Sequence, residues 1–303
     1  MKNKILSVLA TLFVLCACLL ALASCDQAVF PTEGISYEVS ADGTYAMVTG
    51  YSGTSTIVNI ASTHNGLPVT SIYAYAFRNT AITTVVIPDS VTLIGDYAFC
   101  YCSSLTSITI PDSVTSIGER AFYDCSSLTS IEIPDSVTSI GDYAFSQCRS
   151  LTSIEIPDSV TSIGSFAFYC CESLTSIEVP DSVTSIDDDT FSGCSSLTSI
   201  EIPDSVTSIG DSAFRECTSL TSITIPDSVT SIDEWAFSYC RSLTSITIPD
   251  SVTSIDDWAF FYCSSLTKIK YRGTEAQWSK IGKGSCWNYN TGSYTITYNY
   301  TGD

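Results

Sequence analysis

Four glutamates recur at a fixed interval of 23 residues: Glu132, Glu155, Glu178 and Glu201. Each stands between two aliphatic residues, as in Ile131-Glu132-Ile133, so an alternating strand turns its carboxylate away from the apolar side. The same position is Thr109 before the run, and Thr224, Thr247 and Lys270 after it. Carboxylates in such a row suit a divalent cation, a basic peptide segment or, taken as a pair, glycoside hydrolysis. A ladder of like groups gives no single acid its own environment, which argues against hydrolysis. Two such charges about 5 Å apart in water repel by roughly 0.8 kcal/mol, and threonine suits a strand better. The competing explanation is duplication of a tolerated residue.

A second candidate is aromatic. One position of the repeat reads Tyr97, Arg120, Tyr143, Phe166, Asp189, Ser212, Trp235, Trp258. It varies where most of the unit is monotonous. Trp235 and Trp258 are successive copies, with Tyr239 and Tyr262 four residues beyond each. Exposed Trp and Tyr dominate binding hot spots and stack on sugars; a stabilising aromatic ladder along the core edge is the plainer reading. The preceding position is mostly acidic (Asp96, Glu119, Asp142, Ser165, Asp188, Asp211, Glu234, Asp257) and reads as a solvated turn. Asp187-Asp188-Asp189 is its best spot for a cation, without a full oxygen cage.

The chain has 14 cysteines. Eight keep the same beat, from Cys102 through Cys125, Cys148, Cys171, Cys194, Cys217 and Cys240 to Cys263. In an exported protein this invites disulfides, but stacked identical positions point their Cβ atoms in parallel, which is poor geometry for a bridge. Buried free thiols are the preferred reading, with some disulfides and a metal as alternatives. Cys100 and Cys170 fall in the variable part and are expected to be exposed; Cys286 lies near the end. One histidine, His64, and no C-x-x-C pair make a metal centre a weak idea. The motifs G-x-S-x-G, G-x-G-x-x-G, H-E-x-x-H and the P-loop are missing, so no catalytic residue, cofactor or metal is assigned and the chain is read as non-enzymatic.

All these positions are set by one 23-residue unit. Its proline stands at Pro88, Pro111, Pro134, Pro157, Pro180, Pro203, Pro226 and Pro249. Such a period means stacked coils, each unable to bury its apolar side alone. In the copy from Ser104 to Ser126, Leu105, Ile108, Ile110, Val114, Ile117, Ala121, Phe122 and Cys125 form the apolar side. Ile108-Thr109-Ile110 is the strand, and Pro111-Asp112-Ser113 the turn that ends it. Val114 to Ile117 is a second, shorter extended piece. Gly118 permits a positive φ, and Glu119 to Cys125 has room for a helical turn or two. Parallel pairing stacks eight such coils over roughly 40 Å.

The spacing L-x-x-I-x-I-x-x-S-V-x-x-I-x-x-x-A-F-x-x-C resembles a leucine-rich repeat. The proline after the strand, the Ala-Phe pair and the closing cysteine resemble the BspA-like bacterial subclass over about residues 35–300. The resemblance implies a β-rich, right-handed solenoid with one parallel strand ladder, short second strands and short helical turns. The asparagine that usually bonds the backbone between coils is replaced here by Ser90, Ser113, Ser136, Ser159, Ser182, Ser205, Ser228 and Ser251. A hydroxyl can do part of that work with fewer donors.

Residues 1–24 read as a lipoprotein signal peptide: Lys2 and Lys4, then the apolar run Ile5 to Leu22. Leu22-Ala23-Ser24-Cys25 matches the bacterial lipobox, which implies lipid on Cys25; an ordinary signal peptide is the alternative. Residues 25–34 then form a tether. Residues 35–60 alternate around Asp42-Gly43, a hairpin signal for an N-terminal β cap. The array spans 61–267, one irregular coil followed by eight regular ones, and 268–303 is a mixed C-terminal cap. In that cap Ala276 to Ile281 is expected as one helical turn with Trp278 and Ile281 inward, and Ser293 to Tyr300 as a final strand.

The 303 residues hold 32 acids against 12 bases, a net charge of −20. Removing the first 24 leaves 32 against 10, or −22. Such a surface repels phosphate backbones, so nucleic acid is not an expected partner. It favours basic partners. The chain is expected to act as a monomer, in the cell envelope at the cell surface, touching membrane through its lipid alone. Family resemblance suggests adhesion, with an extracellular protein or glycan as ligand. The binding candidates are Glu132, Glu155, Glu178 and Glu201 for a basic protein, and Trp235, Tyr239, Trp258 and Tyr262 for a sugar. A structural or glycan-binding envelope component is the alternative function.

Overall fold

The computed structural model describes residues 31–302. The signal segment, Cys25 and most of the tether lie outside them. The expected solenoid is present, with about 11 turns. Ile57–Asn59 starts a ladder of first strands that continues through Thr84–Val86, Ser107–Thr109, Ser130–Glu132 and Ser153–Glu155, all parallel and in register. After two irregular rungs it resumes at Ser222–Thr224, Ser245–Ile248, Lys268–Tyr271 and Thr295–Thr297. The single ladder expected is in fact two. The short second strands (Ser116–Ile117, Ser139–Ile140, Ser162–Ile163 and their equivalents) also pair in parallel, because each isoleucine there drops into the same core slot.

The apolar side predicted for one coil is buried in every coil. Phe77, Phe99, Phe122, Phe145, Phe168, Phe191, Phe214, Phe237 and Phe260 are all 0% exposed and stack with ring centroids 5.2–5.7 Å apart. Burying one such ring contributes about 1.5–3 kcal/mol. The Pro-Asp-Ser-Val segment closes as a β-turn, with Val114 N donating to Pro111 O at 3.0 Å and the other coils alike. The serine ladder does what was expected of it. Ser136 Oγ donates to Val114 O at 2.6 Å and Ser159 Oγ to Val137 O at 2.7 Å, and this bond recurs in each regular coil.

The third side corrects two expectations. No helical turn forms between Glu119 and Cys125. Arg120 (φ 51°) and Asp124 (φ 54°) are left-handed, so an α-helix cannot run through them. Three overlapping tight turns form instead: Ala121 N donates to Gly118 O, Tyr123 N to Arg120 O and Cys125 N to Phe122 O. The alternate amides reach the next coil, with Arg120 N, Phe122 N and Asp124 N donating to Asp142 O, Ala144 O and Ser146 O, each at 2.8 Å. Gly118 itself does not take the positive φ. It is needed for close approach: a Cβ there would sit 2.7 Å from Asp96 N of the preceding coil.

That close approach explains where the ladders break. The position is Gly95, Gly118, Gly141, Gly164, then Asp187, Gly210, Asp233 and Asp256. The second-strand ladder stops after Ser162–Ile163, holds one pair between Ser185–Ile186 and Ser208–Ile209, and resumes at Ser231–Ile232. Both seams fall where a coil carrying Gly is followed by one carrying Asp. Elsewhere Gly141 N donates to Ile117 O, Gly164 N to Ile140 O and Gly210 N to Ile186 O, all at 2.8–2.9 Å. Asp187 N and Asp233 N make no such bond, and neither do the threonines just before them, Thr184 and Thr230. Where Asp256 follows Asp233, the displacement has already been made and the bond returns, Asp256 N to Ile232 O at 2.8 Å.

The ends are closed differently. Ile35–Val39 and Ala46–Tyr51 form the expected antiparallel hairpin, and Ala46–Tyr51 starts the second-strand ladder by pairing with Leu67–Ile72. The carboxylate of Asp42 holds the hairpin turn, accepting from Ser40 Oγ at 2.7 Å and Thr44 N at 3.1 Å. The first-strand ladder begins at Ile57, inside the stretch read as cap. At the other end the expected helical turn is Glu275–Trp278, held by a capping box between Thr274 and Gln277. Trp278 and Ile281 are buried, and the Trp287 ring meets Phe260, the last ring of the phenylalanine stack, edge-on at 6.0 Å. No helix among the described residues is long and apolar enough to cross a membrane.

Candidate functional site: an acidic strand face and an aromatic turn face

The first-strand ladder positions the four glutamates. Each outward residue follows an inward isoleucine that is buried, and all four carboxylates are exposed. Glu132 pairs in register with Glu155, and Glu178 with Glu201 through a single bridge. No pairing joins Glu155 to Glu178 or Glu201 to Thr224, so the seams cross this face as well. A groove of about 560 Å³ runs over the first seam, lined by Ser153–Glu155, Ser176–Glu178 and Ser199–Glu201. Another of about 500 Å³ lies beside it, where Asp112 and Asp135 of the proline turns join Glu132 and Glu155. A third, of about 370 Å³ over the second seam, is edged by Glu201, Asp204 and Arg272. Arg272 is ion-paired with Asp227 and so marks the end of the purely acidic stretch.

The four aromatic candidates come together as two stacked pairs. Trp235 and Trp258 lie 5.3 Å apart at 9°, and Tyr239 and Tyr262 lie 5.2 Å apart at 16°. Phe261 stands edge-on to both tryptophans and to both tyrosines. Trp235 Nε1 donates to Glu234 Oε1 at 2.7 Å, and the Arg215 guanidinium lies 5.7 Å from its ring centre. All four candidates are half-buried. The same column holds the stacked pairs Tyr75–Tyr97 and Tyr143–Phe166, with Arg120 between Tyr97 and Tyr143. These faces are occupied by one another, as a stabilising ladder requires. The grooves over the glutamates include none of the four aromatics.

The second acidic line has structural work. Asp96, Asp142, Asp188 and Asp211 each accept from the backbone N–H one coil further on, for example Ser165 N to Asp142 Oδ1 at 3.0 Å. Desolvation raises the carboxyl of half-buried Asp189 above its usual range. No three His, Cys, Asp or Glu side chains converge as a metal-holding group among the described residues. His64 stacks on Tyr37 at 4.6 Å and lies 3.1 Å from the Asn65 amide nitrogen.

All eleven described cysteines are free. The ladder thiols are buried and donate across coils: Cys148 Sγ to Phe122 O at 3.2 Å and Cys171 Sγ to Phe145 O at 3.2 Å, with six others alike. Burial pushes these thiols up, Cys148 and Cys263 to about 12. Cys100, expected to be exposed, is buried with its thiol pushed up to about 11; the other small residues of its column, Ser146, Ser192 and Ser238, are buried likewise. Cys170 is half-buried and Cys286 exposed. Phe261 and Arg215, which shape the aromatic face, were not singled out by sequence; their column alternates Tyr123, Ser146, Tyr169, Ser192, Arg215, Ser238, Phe261, and that alternation was the available signal.

Stacked coils with two parallel ladders, one apolar core and side-chain ladders between coils define a leucine-rich-repeat solenoid. The model of the BspA type leucine rich repeat region matches residues 70–198 and 184–301, in 6 copies, and the chain belongs to that family. Among solved structures, it is similar to a leucine-rich repeat protein from Bacteroides ovatus, with 34% identity, 90% of this chain and 71% of that one covered, and a TM-score of 0.79. It is also similar to the leucine rich repeat protein of T. pallidum, with 35% identity over 63% of this chain and 90% of that one, and a TM-score of 0.61. No curated protein sequence matches the chain.

Proposed function

We propose that this protein is a non-catalytic, lipid-anchored adhesion protein of the cell surface, and that it holds basic segments of an extracellular protein on its acidic strand face. The family and fold are those of interaction scaffolds. The observation that carries the finer reading is the glutamate run: four exposed carboxylates on one rigid face, with grooves over and beside them. Rigid presentation lowers the ordering cost of binding, and an acidic field speeds encounter with basic partners. Lipid on Cys25 holds the protein to the envelope without a spanning helix.

The test is the quadruple change Glu132→Thr, Glu155→Thr, Glu178→Thr and Glu201→Thr, presented to a panel of extracellular-matrix proteins. Thr109, Thr224 and Thr247 show that threonine fits this position. Binding by the native chain that weakens with salt, and falls at least about tenfold in the variant, is the expected result. Unchanged binding by the variant sinks the acidic-face reading.

A further inference from the structure

The residue before each repeat proline is buried and aliphatic, from Ile87 to Ile248. The next rung departs from this. Tyr271 pairs in register with Ile248 and is 1% exposed. Isoleucine or phenylalanine would serve the packing. A buried phenol normally finds a partner for its hydroxyl, yet the Tyr271 hydroxyl has no hydrogen-bond partner among the described residues. Desolvation raises its pKa above the usual range, and the charge of Asp250 adds to the effect. Tyr271 lines a cavity of about 180 Å³ where the array meets the C-terminal cap. Asp250 and Val252 of the last Pro-Asp-Ser-Val turn form one side of it, and Gln277, Lys280 and Ile281 of the cap form the other. The cavity exists because the stack changes here. Each earlier turn of this kind is followed by its own copy, whereas the turn at Asp250 is followed by the cap helix Glu275–Trp278.

Gly273 brings the polar groups of one wall together. A Cβ there would lie 2.8 Å from Tyr271 Cζ, the carbon that bears the hydroxyl, and 2.9 Å from Asp250 Cβ. On the opposite wall Gln277 Oε1 accepts from Thr274 N at 2.9 Å and Thr274 Oγ1 at 2.8 Å, which leaves its Nε2 hydrogens to donate. Asp250 and Lys280 form no ion pair, and neither side chain is hydrogen-bonded among the described residues. Buried Val252 and Ile281 supply apolar surface between these walls. The geometry points to a free α-amino acid with an aliphatic side chain as the ligand of this cavity. Its ammonium meets Asp250 and the Tyr271 hydroxyl, its carboxylate meets Lys280 and Gln277, and its side chain lies on Val252 and Ile281. An amine alone leaves Lys280 unmatched and a carboxylate alone leaves Asp250 unmatched; the zwitterion matches both by charge-assisted bonds. The volume is below the roughly 300–1,000 Å³ of sites for drug-sized ligands, as a molecule this small requires. The cavity shares no lining residue with the grooves over the glutamates, so the site stands or falls apart from the acidic face.

The test titrates the full chain with leucine and with its two half-molecules, isoamylamine and isocaproate, and reads Kd from saturation transfer to the ligand methyl groups. Leucine is expected to bind at least about tenfold more tightly than either half-molecule, the worth of one charge-assisted hydrogen bond. Tyr271→Phe keeps the ring and should weaken leucine about tenfold with Tm unchanged. Lys280→Gln alters an exposed side chain, so it tests the same site without touching the core, and a loss of similar size is expected. Absence of saturation transfer from the native chain to leucine overturns the site. Isoamylamine bound as tightly as leucine overturns the zwitterion assignment. Native leucine affinity in both variants places the binding elsewhere and overturns the inference.

Discussion

Two neighbouring steps of the stack differ although their buried halves match. Between Ile186 and Ile209 the second strands pair, Gly210 N bonds Ile186 O, and Thr207 N and Oγ1 both bond Thr184 O. Between Ile163 and Ile186 the pairing and all three of those bonds are lost. Both steps keep the phenylalanine stack, the thiol bond and the serine bond: Ser182 Oγ to Val160 O on one side, Ser205 Oγ to Val183 O on the other. Glutamate repulsion is not the cause, because Glu132 and Glu155 pair fully. The second seam, moreover, joins Glu201 to uncharged Thr224. What changes at each seam is one Cβ, at Asp187 and again at Asp233. A sheet of near-identical coils is therefore divided by one substitution in the unit, placed where backbones approach closely.

The largest effect should come from making a new seam. Gly141→Asp puts a Cβ 2.8 Å from Glu119 N. It is expected to destabilise by about 2–3 kcal/mol, through two or three lost inter-coil bonds of about 1 kcal/mol each. Asp187→Gly should close the first seam and stabilise by about 1 kcal/mol after the entropic penalty of glycine. Denaturant unfolding measures both. If Asp187→Gly leaves stability and amide exchange at Thr184 unchanged, the seam has another cause.

Thiol labelling compares the steps without changing them. Exposed Cys286 should react first. The ladder thiols, buried and with their pKa raised, should react only through local opening. Cys171, Cys194, Cys217 and Cys240 flank the seams and should label faster than Cys125 and Cys148. Equal rates would show that the seams do not weaken the stack.

The smallest effect concerns Asp189, in the coil that opens the first seam. Its folded carboxyl is raised by desolvation. Its contribution is therefore most favourable below the unfolded value near 3.8 and is lost as pH rises through the raised folded value. Asp189→Asn, which suits the left-handed backbone there, should raise Tm slightly at pH 7 and have no effect at pH 3. A larger gain at pH 3 would reverse the assignment.

The sequence made the core legible because its signal is periodic. Every apolar position of the unit is buried, and the serine replacement for asparagine bonds as read. The turn side was less legible. Tyr97, Arg120, Trp235 and Trp258 all sit at positive φ, residues that propensity does not place there. Gly193 and Asn79, in line with Tyr101 and Tyr239, carried the correct signal and were outnumbered. The glutamate row was visible as residues, but the breaks in its strand pairing fall where Asp187 and Asp233 replace glycine on another side of the coil, which no reading of the strand alone reaches.

The hydroxyl and thiol ladders have a consequence for how such a gene can change. Every coil offers the same serine, threonine and cysteine donors upward and the same carbonyls downward. Excising or duplicating one whole unit leaves both new neighbours with the same serine and thiol partners, and only a changed order of Gly and Asp coils would add or remove a seam. Array length is thus a free variable under recombination, while the hairpin at one end and the tryptophan-closed cap at the other stay fixed. Copies can be gained or lost in a lineage without a folding crisis, and the exposed columns, not the core, record which copies were kept.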